Sequence, residues 1–136
     1  GDETAAEAFE KAQSFCEKQR FKEAAVLFRK VLAALQANPD RKLRAVEAEV
    51  WAHLGVAMQS LDDLEAAVES YSRAVRLDPS LHVCFANLAT LLAYLQEGQN
   101  AHEHILRAVE LQPGNQAYLD LERTLRPLHP AESPGH

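Results

Sequence analysis

The sequence predicts an all-α protein built from pairs of amphipathic helices that recur along the chain. Three observations carry this prediction. Apolar side chains recur at helical spacing through most of the 136 residues. Blocks of sequence match one another at a fixed interval, which is the mark of a repeat protein. The chain also holds only five Gly and six Pro, too few for the many turns of a β-protein.

The clearest repeat aligns Trp51 with Phe85, a shift of 34 residues, and continues without a gap. Segment 73–79 (RAVRLDP) is nearly identical to segment 107–113 (RAVELQP). A looser earlier unit aligns with the second at a shift of 43 residues, so nine extra residues (43 − 34) fall around 38–40. We expect this insertion to lengthen the helices on either side of it.

Capping and stop signals divide the chain into seven helices. The segments 4–7 (TAAE) and 62–65 (DDLE) fit capping boxes, and Asn115 can cap the last helix. Pro79 and Pro113 disfavour helix at the residue before each of them. The predicted helices are 4–18, 21–37, 41–60, 63–77, 81–95, 99–111 and 116–125.

Small residues in the second unit permit a close approach of its two helices, and its full pattern resembles the tetratricopeptide repeat. The pattern is Trp51-x2-Leu54-Gly55-x2-Met58, then Ala67-x3-Tyr71, Ala74 and Pro79. It departs from the family where Met58 replaces the usual tyrosine and where Gly98 stands opposite Leu64 of the second unit. The resemblance covers about residues 5–125.

The resemblance implies a right-handed α-solenoid of three helix pairs plus a C-terminal capping helix, because stacked pairs bury one continuous core. We expect a single tetratricopeptide domain over residues 1–126 and a disordered tail over 127–136. The expected parts of the domain are repeat 1 at about 5–38, extended helices at about 38–47, repeat 2 at 48–81, repeat 3 at 82–115 and the capping helix at 116–126.

The resemblance also implies a concave groove, lined by the first helix of each pair, that binds an extended peptide or a helix of a partner protein. Asn87 is one candidate contact, because its amide offers a donor and an acceptor to a ligand backbone; the alternative is a solvated polar residue. His53 takes the matching place in repeat 2. The candidate groove residues are Phe9, Gln13, Glu49, His53, Val56, Ala86, Asn87, Thr90 and Tyr94.

The charge of the predicted groove suggests the chemistry of its ligand. Glu10, Glu17 and Glu49 make its amino-terminal half acidic, which favours a ligand with apolar anchors and Lys or Arg. The alternative is a solvated charged face.

Some members of this family bind the C-terminal carboxylate of a chaperone through cationic and amide side chains. Carried onto this chain, those positions hold no Lys or Arg, and a carboxylate there would lose charge-assisted hydrogen bonds. The sequence therefore argues against a chaperone-type clamp. The positions are Phe9, Gln13, His53, Val83 and Asn87.

Composition and motifs argue against other functions. The net charge of −6 disfavours nucleic acid as a ligand, and no apolar stretch is long enough to span a bilayer.

His102 and His104 are two residues apart and do not share a helix face, so we expect neither a metal site nor a cofactor. Cys16 and Cys84 lie in apolar helical patterns and are expected to be buried thiols. We predict no enzyme activity.

The sequence thus predicts a protein-interaction module, an adaptor or scaffold, in the cytoplasm or nucleus. Two alternatives remain open: a homodimerisation module, and a regulatory domain of a larger enzyme or transport complex. Because residue 1 is Gly, we expect the chain to be a piece of a longer protein.

Overall fold

The computed structural model describes residues 3–127, which form seven α-helices and no strand. The expected tail lies outside the described residues except for Pro127. The chain divides into two compact units, residues 1–84 and 85–136. The helices are α1 Ala5–Glu17, α2 Phe21–Gln36, α3 Arg44–Ser60, α4 Leu64–Leu77, α5 His82–Tyr94, α6 Gly98–Leu111 and α7 Gln116–Leu125.

The all-α prediction is confirmed, and most predicted helix ends differ from the observed ones by at most one residue. The exception is the start of α3, where residues 41–43 form a 3₁₀ turn. Thr4 caps α1 by accepting from the Glu7 N–H at 3.1 Å. Asn115 caps α7 in the same way, accepting from the Tyr118 N–H at 3.1 Å.

The predicted cap of α4 is wrong by one residue. Asp63 rather than Asp62 accepts from a backbone N–H of the first turn, that of Ala66, at 3.2 Å. The reason is that Asp62 has a φ of 62° and closes the end of α3. A left-handed residue at that place cannot also be the extended residue that begins the next helix.

In the first unit, α1 packs on α2, α2 on α3 and α3 on α4. Each contact buries the apolar stripe that the sequence pattern predicted, and burial of such side chains is the main favourable term in folding. The largest fully buried side chains of this unit are Phe28, Val50, Leu54 and Tyr71.

Gly55 sets the spacing between α3 and α4. A Cβ atom at this position would lie 2.7 Å from Cδ1 and from Cε1 of Tyr71, and the Tyr71 ring is fully buried. The Tyr71 hydroxyl donates to Gln59 Oε1 at 2.9 Å, which fixes the ring in place. The glycine is therefore required by contact with this ring, as the repeat pattern suggested.

In the second unit, the positions equivalent to Gly55 and Tyr71 are occupied by Ala89 and Ile105, both fully buried. A branched aliphatic side chain replaces the ring, and a methyl group replaces the glycine hydrogen. The two repeats thus fill the same positions with complementary volumes, as close packing of protein interiors demands.

The first helix of each pair ends in the same left-handed turn. Gln19, Asp62 and Gln96 have φ values of 60°, 62° and 64°, and they lie 43 and 34 residues apart, the intervals of the sequence repeat. The residue after each donates back to a carbonyl five residues earlier, at 2.8 to 2.9 Å. This is the Schellman pattern, which normally favours glycine at the left-handed position.

The insertion lengthens the helices beside it, as predicted. α3 has 17 residues whereas α5 has 13, and α2 has 16 whereas α4 has 14. The additional turn of α3 begins at Arg44. Its guanidinium donates to the carbonyl of Leu35 at 2.9 Å and to that of Asn38, so it ties the additional turn to the end of α2 and the residues that follow it.

We expect Gly55→Ala to destabilise the first unit by about 1–2 kcal/mol, because the added methyl overpacks Tyr71 and outweighs the better helix propensity of alanine. In a Tyr71→Ile background, which copies the second unit, the same substitution should be neutral or stabilising. Urea unfolding of the four proteins measures this cycle. Equal effects of Gly55→Ala in both backgrounds would contradict the contact.

We expect Gln96→Gly to raise the free energy of unfolding by up to about 1 kcal/mol, because glycine removes the steric cost of the left-handed backbone. Gln96→Ala is the matched control, since it removes the same side chain and keeps the Cβ. Thermal unfolding of both variants measures the change in stability. The prediction is wrong if the alanine variant gains as much stability as the glycine variant.

The attachment of α7 to α6 should weaken in acid. Arg126 and His102 hydrogen-bond to the Glu122 carboxylate and lower its pKa to about 2; the His102 Nε2 to Glu122 Oε2 distance is 2.8 Å. The folded pKa is below the ordinary 4.5, so the stabilisation is present above pH 4.5 and is lost as pH falls toward 2.

Amide hydrogen exchange of α7 measured between pH 5 and pH 2 tests this dependence on Glu122. Glu122→Gln should remove much of the loss of protection, whereas Glu103→Gln, on the exposed side of α6, should leave it unchanged. An unaltered profile in Glu122→Gln would refute the role of this carboxylate.

Candidate functional site

The nine predicted groove residues fall on both units. Phe9 and Gln13 lie on α1, and Glu49, His53 and Val56 lie on α3, all within the first unit. The other four lie on α5, in the second unit: Ala86, Asn87, Thr90 and Tyr94.

Phe9 and His53 of the first unit meet in a cluster of three aromatic rings. The ring centroids of Phe9 and His53 are 5.4 Å apart with an edge-to-face angle of 72°. Phe28 stacks on His53 at 5.7 Å and 12°, and it meets Phe9 at 5.9 Å. Because Phe28 is buried and His53 is partly exposed, the cluster joins the core to the surface of α3.

Carboxylates surround this cluster. Glu49 Oε1 lies 3.8 Å from His53 Nε2, one helical turn away. Glu10 is exposed, and within residues 3–127 it forms no ion pair. Gln13 is half-buried and Val56 is exposed. The surface at the first-unit groove positions is thus aromatic, apolar and acidic.

The α5 residues differ in what they can offer a ligand. Ala86 is only 8% exposed, and the Thr90 hydroxyl donates to the Ala86 carbonyl at 3.1 Å, so neither presents much free binding capacity. Asn87 is half-buried, and its amide forms no hydrogen bond with any described residue. Tyr94 is 74% exposed. Asn87 and Tyr94 therefore keep most of the binding capacity of this helix.

An apolar cleft of about 340 Å³ opens beside Phe9, within the first unit. Sequence reasoning missed it, because the cleft depends on where the inserted residues place the start of α3. The insertion is the only feature of the sequence that indicates this cleft. The lining residues are Ala5, Ala6, Phe9 and Glu10 from α1, Val31 and Leu35 from α2, and Val46 and Val50 from α3.

A buried carboxylate fixes the additional turn that carries Val46. Glu47 is 5% exposed; it accepts from Arg44 at 2.6 Å and from the Trp51 indole N–H at 3.3 Å. The Trp51 ring in turn lies under the Arg73 guanidinium at 5.0 Å. The sequence pattern marks Trp51 only as a packing residue, so this network was not foreseen.

Several other chemistries have no structural basis in the described part of the chain. Burial raises the pKa of the Cys84 thiol to about 11. Cys16 is half-buried rather than buried as predicted, and its partial burial also raises the pKa of its thiol. Both shifts disfavour the reactive thiolate. No cluster of three potential metal ligands occurs within residues 3–127. In the same range, no helix has both the length and the apolar character required to traverse a bilayer.

Comparison with known proteins agrees with the repeat pattern. Residues 48–81 match the tetratricopeptide repeat family. A stretch of 69 residues is 32% identical to the STIP1 homologue of Dictyostelium discoideum, covering 51% of this chain and 12% of that relative. The match thus spans a small part of the longer protein.

Solved structures of the same fold cover most of this chain. The first tetratricopeptide domain of Spaghetti (RPAP3), bound to the HSP90 peptide SRMEEVD, has a TM-score of 0.75 and 20% identity over 89% of both chains. The second such domain of human RPAP3, in complex with the HSP70 peptide SGPTIEEVD, has a TM-score of 0.75 and 20% identity over 91% of this chain and 96% of that one.

The sequence repeat, the seven helices and these comparisons agree. Residues 48–81 match the tetratricopeptide repeat, and the chain has the fold of the solved tetratricopeptide domains.

Proposed function

We propose that this chain is a protein-interaction module that binds a peptide or helix of a partner through exposed side chains on the first helix of its repeats. The supporting observation is the side-chain set on α1 and α3: a partly exposed aromatic cluster bordered by Glu10 and Glu49. Such a surface offers apolar contact area together with charge that selects the partner.

The proposed ligand carries apolar anchors and basic residues, and it is not held by a chaperone-type carboxylate clamp. The positions carried over from that clamp on α1 and α3 are Phe9, Gln13 and His53, and none of them is Lys or Arg. A peptide ending in several carboxylates would meet Glu10 and Glu49 there, and like charges placed together disfavour binding.

The structural neighbours bound to HSP90 and HSP70 peptides favour a second candidate, chaperone-tail binding. The two candidates predict opposite responses to one probe, the acidic peptide SRMEEVD. We expect no measurable binding of this peptide by calorimetry, with the RPAP3 domain as the positive control. Binding at an affinity like that of the control would contradict our proposal and support chaperone-tail binding.

Selection from a displayed random peptide library tests the interaction function itself. Peptides recovered on the immobilised chain should bind Asn87→Ala about tenfold more weakly, because one amide can make two hydrogen bonds to a ligand backbone. Asn100→Ala, an exposed asparagine of α6, is the matched control and should bind normally. Recovery of no peptide, or equal binding to both variants, would count against this function.

A further inference from the structure

The insertion builds a binding feature that the repeat pattern alone does not specify. Val46 lies on the additional turn of α3, two residues before the position where the second repeat begins. Val46 is 44% exposed although it is a large apolar residue. It faces the 340 Å³ cleft formed with α1 and α2, a volume at the lower end of the ~300–1,000 Å³ of ligand pockets.

The wall that carries Val46 is held rigidly. Arg44 joins the additional turn to the end of α2 through the Leu35 carbonyl, and it joins Glu47 through an ion pair at 2.6 Å. Leu35 also lines the cleft with its side chain. The α2 and α3 walls of the cleft are therefore tied to one guanidinium, and a preformed pocket binds with less loss of conformational freedom.

The charge at the cleft indicates what can enter it. Glu10 lines the cleft and has no ion-pair partner among the described residues, whereas the carboxylate of nearby Glu3 is paired with Lys11 and Lys30. No Lys or Arg lines the cleft. By contrast, a smaller cavity of about 220 Å³ beside Trp51 is lined by Arg29.

We propose that the cleft bounded by Phe9, Glu10, Val46 and Val50 is an anchor pocket for one apolar side chain of a partner peptide, with an adjacent Lys or Arg that pairs with Glu10. The proposal rests on the proposed function and specifies one subsite of it. The apolar side chain supplies the contact, as a buried anchor does at the centre of other interfaces. The basic residue supplies orientation and a salt-dependent gain in affinity.

A matched set of capped heptapeptides tests the pocket by amide chemical-shift titration of the whole chain. The probe is Ser-Gly-Lys-Leu-Lys-Gly-Ser, and the comparison peptides replace Leu with Ser or both Lys with Glu. We expect the probe to shift the amides of residues 5–10 and 46–50 at about millimolar concentration. Each comparison peptide should bind about tenfold more weakly.

Variants of the chain test the pocket from the side of the protein. Val46→Lys should weaken probe binding about tenfold, because it fills the cleft and neutralises Glu10. Val26→Lys is the matched control: Val26 is 66% exposed on α2 and lies outside the cleft. Glu10→Gln should weaken binding about threefold at low salt and reduce its salt dependence. Thermal unfolding of each variant verifies that the fold is retained.

The results also distinguish this proposal from the broader function. If the probe shifts only the amides of residues 52–56 and 87–94, or shifts none, the anchor pocket is wrong. The broader function is judged by the library selection and by Asn87→Ala, which do not involve the cleft. Equal binding to Val46→Lys and Val26→Lys would likewise overturn the proposal.

Discussion

The closeness of paired helices is the constraint on which the described structure depends. At Gly55 there is no room for a Cβ atom, because the fully buried Tyr71 ring occupies that space. The ring is itself held by the hydrogen bond from its hydroxyl to Gln59. Small residues such as Ala67 and Ala74, also fully buried, extend this close approach along α4. Pairing at this distance lets two short amphipathic helices bury their apolar stripes against each other.

The left-handed turns after α1, α3 and α5 allow the paired helices to pack in this way. They reverse the chain within three residues, so that the second helix of each pair can return alongside the first. None of the three positions is glycine; they are Gln19, Asp62 and Gln96. The strain of a side chain at positive φ is accepted because the backbone bonds of the turn and the packing of the helix pair together outweigh it.

The insertion changes the first unit without changing its fold. Residues 37–43 extend the path between α2 and α3, and Arg44 closes that path by binding the end of α2. Burial of the Glu47 carboxylate is tolerated because Arg44 and Trp51 both donate to it, as buried charges require. The result is a cleft wall on α3 in which Val46 lies before the repeat proper and Val50 lies inside it.

The acidic side chains of the proposed binding surface have the same sign of charge as the peptides bound to the structural neighbours. Those neighbours were solved with peptides that end in Glu-Glu-Val-Asp. Here Glu10 and Glu49 border the aromatic cluster of Phe9, His53 and Phe28. A shared fold does not carry a shared ligand, because recognition depends on the side chains placed on the fold rather than on the fold itself.

The sequence by itself determined the helices, their pairing and the need for a small residue at position 55. These follow from periodicity, capping residues and the interval of 34 residues, which are local properties of the chain. It also predicted that the insertion lengthens α2 and α3. It placed the cap of α4 one residue too early, because the backbone conformation of Asp62 is decided by the Schellman turn and not by residue type.

Only the tertiary structure decided the surroundings of each candidate site residue. Phe9 packs against His53. The Asn87 amide has no hydrogen-bond partner in the described chain, whereas the Thr90 hydroxyl donates to a carbonyl of its own helix. It also created the cleft at Val46 and the Arg44–Glu47–Trp51 network. The Phe9–His53 contact and the cleft join residues of α1, α2 and α3 that are far apart in sequence, and such contacts depend on how helices pack rather than on any local pattern.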